Sequence, residues 1–201
     1  MITKPKLLLA TTNKGKLKEF RSLLSGIPYE ILTPAACGIN AEVKEDGETY
    51  EQNALLKATS MAALSCLLTL ADDSGLEVEA LGGGPGIKSA RYAGENKTDA
   101  DRIAFLLAKL KAAPDNRRNA QFRCVIALAA PAGKVELFSG ACQGLIADKP
   151  RGTNGHGYDP IFYIPELKKT MAELTMAEKN QFSHRARAAE KAKTFLINMI
   201  G

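Results

Sequence analysis

Two short apolar runs, KLLLAT at 6–11 and LLTLA at 67–71, are bounded by polar residues and separated by stretches with helical spacing. Runs of this length read as buried strands, and their alternation with helices points to an α/β architecture. Between them, Leu17, Phe20, Leu23 and Leu24 recur at helical spacing until Gly26. A short strand is expected over Tyr29–Thr33 and a second helix from Thr49 to Cys66. The run at 67–71 is expected to end at the aspartate pair, with a separate short strand over Leu76–Leu81. Thr98 and Asp101 form a capping-box pattern for a helix reaching Lys111, and Pro114–Asn119 reads as a polar break. Ala120–Ala130 and Lys134–Ala147 predict an antiparallel hairpin across Pro131–Gly133. Pro160–Ile164 reads as a brief strand. Thr175 and Glu178 suggest a capped turn, and Ser183 a cap for a last helix to Ile200. The expected result is a central mixed β-sheet flanked by helices. No linker composition interrupts the chain, so a single domain over 1–201 is expected.

Composition narrows the function classes. The chain has 201 residues, 45% of them hydrophobic and 24% charged, which suits a globular domain with its own core. A net charge of +5 from dispersed lysines and arginines suits an anionic ligand but does not argue for stable nucleic-acid binding. Cys37, Cys66, Cys124 and Cys142 form no CxxC pair, which speaks against zinc. The start, MITKPKLLLATTNKGK, does not read as a signal peptide, and no apolar stretch approaches a membrane span. A cytoplasmic protein with reduced thiols and no membrane partner is expected.

Four stretches could carry chemistry. In ADDSG at 71–75, Asp72 and Asp73 can be turn residues, or paired carboxylates whose mutual repulsion a divalent cation relieves. Glu45 lies in an acidic loop and is either solvated or a further hard oxygen ligand for such a cation. TTNKGK at 11–16 is expected as a turn after a strand. It reads either as a solvated turn or as a phosphate cradle, in which Asn13, Lys14 and Lys16 add donors and charge to backbone N–H groups at a helix start. In GTNGHGYDPIF at 152–162, glycines permit close backbone approach, and His156 and Tyr158 offer rings for stacking on a base or for lidding the core. In KNQFSHRARA at 179–188, Lys179, His184 and Arg185 are either a surface basic cluster or contacts for an oxygen-rich ligand. An arginine in a first helical turn opposes the helix dipole. Together these stretches suggest a site for a nucleotide polyphosphate with Mg²⁺.

The ordered set Thr11, Asn13 and Lys16, then EQNALLKA (51–58), ADDSG (71–75), LGGGPGIKSARYAG (81–94), GYDPIF (157–162), AELT with the following EK (172–179), and SHR (183–185) resembles the inosine triphosphate pyrophosphatase family, which includes dITP/XTP pyrophosphatases. The resemblance runs from Leu7 to the last helix. It implies an elongated two-lobed α/β fold with the active site in the cleft between lobes, a Mg²⁺ requirement, and a homodimer. It also implies hydrolysis of deaminated purine triphosphates (dITP/ITP, XTP/dXTP) to the monophosphate and pyrophosphate. By motif position, Asp73 resembles the proton acceptor and a metal ligand, Glu45 the second metal-binding acid, and Asp72 a supporting acid. Thr11, Thr12, Asn13, Lys14, Gly15 and Lys16 resemble the triphosphate loop, and Ser74 a substrate contact. His156, Gly157, Tyr158, Asp159, Lys179, His184 and Arg185 resemble the nucleoside pocket. The family commonly places Phe where this chain has His156, and an imidazole buries less apolar area and titrates near neutrality.

The resemblance implies attack by water at the α-phosphorus, with Asp73 accepting its proton and Lys14 and Lys16 stabilising the departing pyrophosphate. Lys179 and Arg185 can only donate hydrogen bonds, which would favour a 6-oxo acceptor over the amino group of adenine. Two other readings of the same residues stay open. One is a pyrophosphatase for other modified nucleotides, and the other a non-catalytic nucleotide- or RNA-binding module.

Overall fold

A computed structural model describes residues 4–111 and 117–200. The chain order is β1 (Lys6–Leu9), α1 (Lys14–Leu23), β2 (Glu30–Leu32), α2 (Tyr50–Ser65), β3 (Leu68–Val78), α3 (Asp99–Leu110), β4 (Asn119–Ala129), β5 (Val135–Ile146), β6 (Phe162–Ile164), β7 (Lys169–Thr170), α4 (Met176–Lys179) and α5 (His184–Asn198). Among the described residues the strands form one seven-stranded sheet in the order β2-β1-β3-β4-β5-β6-β7. β1 runs parallel to β2 and β3, while β5–β6 and β6–β7 are antiparallel, so the sheet is mixed as expected. No described helix is long and apolar enough to cross a membrane.

The chain divides into two compact units. The first comprises 1–73, 124–140 and 185–201, and the second 74–123 and 141–184. Each has its own apolar core. In the first unit, Leu7 and Leu9 of β1 pack with Phe20 of α1, with Leu24 just beyond it, and with Ala188 and Ala192 of α5. In the second, Leu106 and Leu110 of α3 pack with Phe122 of β4 and Ile161, Phe162 and Met171 beyond β5. Neither unit is a continuous stretch of chain, because β3, β4 and β5 each contribute to both.

Local chemistry explains the helix starts. The Thr49 side chain accepts from Gln52 N–H ahead of α2, and Thr98 and Asp101 complete a reciprocal capping box at α3. Thr175 and Glu178 do the same at α4. The β4–β5 link is a tight reversal. Ala130 N–H donates to Lys134 O at 2.9 Å, and at the far end Ile146 N–H donates to Arg118 O at 2.9 Å, which makes the ladder antiparallel.

Three expectations change. ADDSG is neither a turn nor a strand end: β3 runs unbroken from Leu68 to Val78 and absorbs the apolar runs on both sides. β3 lies between β1 and β4 in the sheet, and that pairing overrides turn propensity. Glu79–Leu81, assigned to a separate strand by sequence, is a 3₁₀ turn. TTNKGK is not wholly a turn either, because α1 begins at Lys14, capped by Asn13. The polar break at Pro114–Asn119 lies partly outside the described residues, and β4 already begins at Asn119.

Gly144 sits in β5 close against β6. A Cβ there would lie 2.6 Å from Tyr163 O and 2.7 Å from the Phe162 ring. Gly144→Ala is expected to cost about 1–3 kcal/mol through overpacking. Urea unfolding should show a lowered midpoint with an unchanged slope, and a midpoint equal to wild type would contradict this packing.

Candidate functional site

The first unit builds one cluster around Asp72 and Asp73, which are 1% and 5% exposed. Adjacent residues in a strand point to opposite faces, so the two carboxylates enter different surroundings. Asp72 Oδ2 lies 2.9 Å from Lys16 Nζ of α1 and 3.7 Å from Arg185 Nη2 of α5. Its backbone carbonyl accepts from Lys57 Nζ at 2.8 Å. Burial alone would raise the Asp72 carboxyl, but Lys16, Arg185 and Lys57 hold it well below the ordinary carboxylate range. Arg185 is itself paired with buried Glu19 of α1. Cys124 Sγ approaches Asp72 Oδ2 at 3.9 Å, and burial together with that carboxylate pushes the thiol up, away from nucleophile chemistry.

Asp73 is treated differently. Its Oδ2 accepts from Asn53 Nδ2 of α2 at 2.9 Å, while Asn53 Oδ1 accepts from Gly47 N–H at 2.8 Å. One amide therefore fastens the Glu45 loop and Asp73 together. Burial pushes the Asp73 carboxyl up and Glu45 adds to that, against Lys16, Asn53 and Lys57. Lys57 is ion-paired with Glu45. Its charge survives burial because Asp72, Glu45 and Asp73 together raise its pKa. The repulsion expected between Asp72 and Asp73 is not what raises Asp73; burial and Glu45 are.

The start of α1 belongs to the same unit. Asn13 Oδ1 accepts from Lys16 N–H at 3.0 Å, and Thr11 Oγ1 accepts from Asn13 N–H at 3.3 Å. Thr12 is exposed, Lys14 and Gly15 open the helix, and its first turn carries no acid. This is a cationic helix N-terminus suited to anions.

The second unit holds Ser74, half-buried in β3, and a separate cluster from the 152–162 loop and α4. Asp159 is buried, and its Oδ2 accepts from Lys179 Nζ at 2.5 Å and from His156 N–H at 3.0 Å. Gly155 has φ +79°, and a Cβ there would collide with the Asp159 carboxylate, so only glycine allows this approach. Gly157 N–H donates to Asp99 Oδ2 at 2.6 Å. Tyr158 is buried in the apolar core and donates its hydroxyl to Ser89 O at 2.9 Å. Of the two rings offered for stacking, the core takes Tyr158, while His156 stays half-buried. The His184 ring stacks on Phe122 at 4.7 Å between centroids and 17° between planes.

Lys179, His184 and Arg185 are 4%, 3% and 2% exposed, which excludes a surface basic cluster. Arg185 falls in the first unit, whereas Lys179 and His184 fall in the second. Its place in the first helical turn is explained by Glu19 and Asp72. Sequence reasoning missed Glu19, Asn53 and Lys57. Asn53 and Lys57 lie in the EQNALLKA motif and stand four apart on one face of α2, the signals that could have found them. Glu19 had none, since its partner lies 166 positions away.

The donor set suits a hard divalent cation. Glu45 and Asp73 are carboxylates close enough for one to raise the other's pKa, which is the repulsion such a cation relieves. Among the described residues no three His, Cys, Asp or Glu side chains converge as a ready-made metal cage. That is compatible with a cation bound by one or two carboxylates plus substrate oxygens.

The two aspartates should affect stability in opposite directions when metal is chelated. Asp72 has a depressed folded-state pKa, so its contribution is present above the unfolded value near ~3.9 and is lost as pH falls towards the folded value. Asp73 has a raised one, so its ionisation opposes folding at neutral pH and stability is gained as pH falls through it. Asp72→Asn should lower stability at pH 7 by about 3–5 kcal/mol by stranding buried cations, with the deficit shrinking below about pH 4. Asp73→Asn should raise stability at pH 7. Urea unfolding in EDTA at both pH values checks this, and equal losses from the two variants would refute the assignment.

Known proteins resemble this chain in profile, sequence and structure. The Ham1 family profile matches residues 7–195. A protein of Desulforamulus reducens named dITP/XTP pyrophosphatase is 49% identical over 191 residues, covering 95% of this chain and 95% of that protein. One of the same name from Geobacter sulfurreducens is 50% identical, covering 95% of this chain and 96% of its own length. A solved structure of a HAM1 protein from Coxiella burnetii superposes with a TM-score of 0.89 at 42% identity, covering 96% of this chain and 99% of that one. With nearly full-length matches in profile, sequence and structure, the chain belongs to the Ham1 family.

Proposed function

We propose that this protein hydrolyses deaminated purine nucleoside triphosphates, dITP/ITP and XTP/dXTP, to the nucleoside monophosphate and pyrophosphate. The reading rests on family membership, on relatives named dITP/XTP pyrophosphatase, and above all on Asp73. Asp73 is a buried carboxylate with a raised pKa, oriented by Asn53 and accompanied by Glu45, and so a fitting general base.

In this reading Thr11, Thr12, Asn13, Lys14, Gly15 and Lys16 receive the phosphate chain at the start of α1. Asp73 takes the proton of a water as its oxygen bonds to the α-phosphorus, and the anhydride bond to the β-phosphate breaks. Lys14 and Lys16 stabilise charge on the departing pyrophosphate. Asp72 supports the step by holding Lys16 in place. Glu45 and Asp73 would hold Mg²⁺, which when bound neutralises phosphate charge. Lys57 keeps the Glu45 carboxylate in position.

Ser74, His156, Gly157, Asp159, Lys179 and His184 are assigned to nucleoside recognition. Lys179 can donate to a 6-oxo group but has nothing to accept the amino hydrogens of adenine. The hydrogen bond from this charged group that dITP gains and dATP lacks is worth about 1.5–3 kcal/mol, so dITP should exceed dATP in kcat/KM by roughly tenfold or more. We further assign the protein to the cytoplasm as a homodimer. The exposed Leu55, Leu56 and Leu64 of α2 are compatible with association, and a sedimenting mass equal to one chain would refute the dimer.

The deciding experiment is pyrophosphate release from dITP, XTP, dATP, dGTP and modified pyrimidine triphosphates, with and without Mg²⁺, both products being identified. Asp73→Asn is expected to lower kcat by about 10²-fold while remaining folded. Near-normal turnover by Asp73→Asn at saturating Mg²⁺ would remove the residue from its role. Nucleotide binding in chelator with no product formed at any Mg²⁺ concentration would favour a non-catalytic module.

A further inference from the structure

The block LGGGPGIKSARYAG and the start of α3 remain without a role, yet they hold the 156–159 loop. Gly157 N–H donates to Asp99 Oδ2 at 2.6 Å. The other oxygen, Asp99 Oδ1, accepts from Arg102 Nη2 at 2.6 Å. Arg102 Nη1 donates to two carbonyls, Ala90 O at 2.9 Å and Lys97 O at 2.6 Å. The neighbouring carbonyl, Ser89 O, accepts from the Tyr158 hydroxyl at 2.9 Å, and Tyr158 follows Gly157 in the chain. The path from Gly157 through Asp99, Arg102 and Ala90–Ser89 back to Tyr158 is therefore a closed circuit. Ser89 is itself anchored, because its Oγ accepts from Leu76 N–H at 2.9 Å and donates to Gly86 O at 2.6 Å.

On the other side of the loop, His156 N–H and Lys179 Nζ share Asp159 Oδ2. Two successive backbone N–H groups, those of His156 and Gly157, are thus taken by two different carboxylates. Such a segment has little backbone freedom left, which fixes the point from which the His156 side chain departs. Arg102 suits the task because its planar fork reaches one carboxylate and two carbonyls at once, which a lysine could not do with fixed geometry.

We propose that Asp99 and Arg102 are positioning residues for nucleoside recognition. They close the circuit that fixes the loop carrying His156 and Gly157, and they set nucleoside affinity without entering the phosphate chemistry. The proposal rests on the function reading above. Asp99 also stands in the first turn of α3, where an acid stabilises the helix. The test must therefore separate the hold on Gly157 from the helix.

The experiment uses the full chain with Mg²⁺, comparing wild type, D99A and D99N. D99A is expected to raise KM for dITP about tenfold with kcat changed less than about threefold, as loss of a charged hydrogen-bond acceptor predicts. D99N retains one acceptor oxygen and should recover part of the loss. Inorganic tripolyphosphate, a competitor lacking the nucleoside, should inhibit all three proteins equally. Amide hydrogen exchange at Gly157 should accelerate in D99A while the amides of α3 stay protected. Unchanged KM, unchanged exchange at Gly157, or a joint loss of kcat and tripolyphosphate affinity would each overturn the proposal. Absence of dITP turnover in the wild type would instead defeat the function reading, and exchange at Gly157 would then decide the clasp alone.

Discussion

Two neighbouring carboxylates buried in the middle of a strand are the condition to which the first unit is built. An ionised group in an apolar interior is very costly unless it is paired. β3 pairs one aspartate thoroughly and the other only partly. Asp72 collects Lys16 from α1 and Arg185 from α5, and Arg185 brings Glu19 with it. Asp73 has an amide donor and sits near a second acid. One carboxylate is thereby kept ionised as part of the framework, and the other is left responsive to protons and cations. The strand's alternation produces this division, because it sends consecutive side chains to opposite faces.

The second unit solves a similar problem around Asp159. Lys179 supplies the countercharge, and the His156 amide donates to the same Asp159 oxygen while the Gly157 amide donates to Asp99. Buried ion pairs are weak evidence for stability, but they are strong determinants of geometry, because removing one partner leaves the other stranded. Here the geometry is that of a glycine-containing loop. Gly155 is required where the Asp159 carboxylate approaches the backbone too closely for any Cβ. Tyr158, whose ring fills the core, anchors the same loop to Ser89.

Much of the fold was legible in local patterns. The helices at α2, α3 and α5, the β4–β5 reversal and the caps at Thr98 and Thr175 follow from periodicity and side-chain capping, which act within a few residues. The DDSG segment was not legible, since Asp, Ser and Gly favour turns and only neighbouring strands overrule that preference. The chemistry-bearing residue types stood out as motifs, yet their partners did not. Glu19 reads as a surface helix residue until Arg185, far along the chain, folds back onto it. Asn53 and Lys57 lay within a motif, but nothing in it showed that one amide would hold both Asp73 and the Glu45 loop.

The sequence by itself determined the α/β class, the mixed sheet, the family resemblance and which carboxylates, lysines and glycines were available for chemistry. These depend on spacing, composition and short-range capping. Only the tertiary structure decided which aspartate is neutralised and which is poised, that Tyr158 serves the core, and that Asp99 grips Gly157. Those outcomes depend on burial and on charges brought together from distant parts of the chain. Desolvation and Coulomb interactions act through space, and their strength is set by neighbours that sequence order does not reveal.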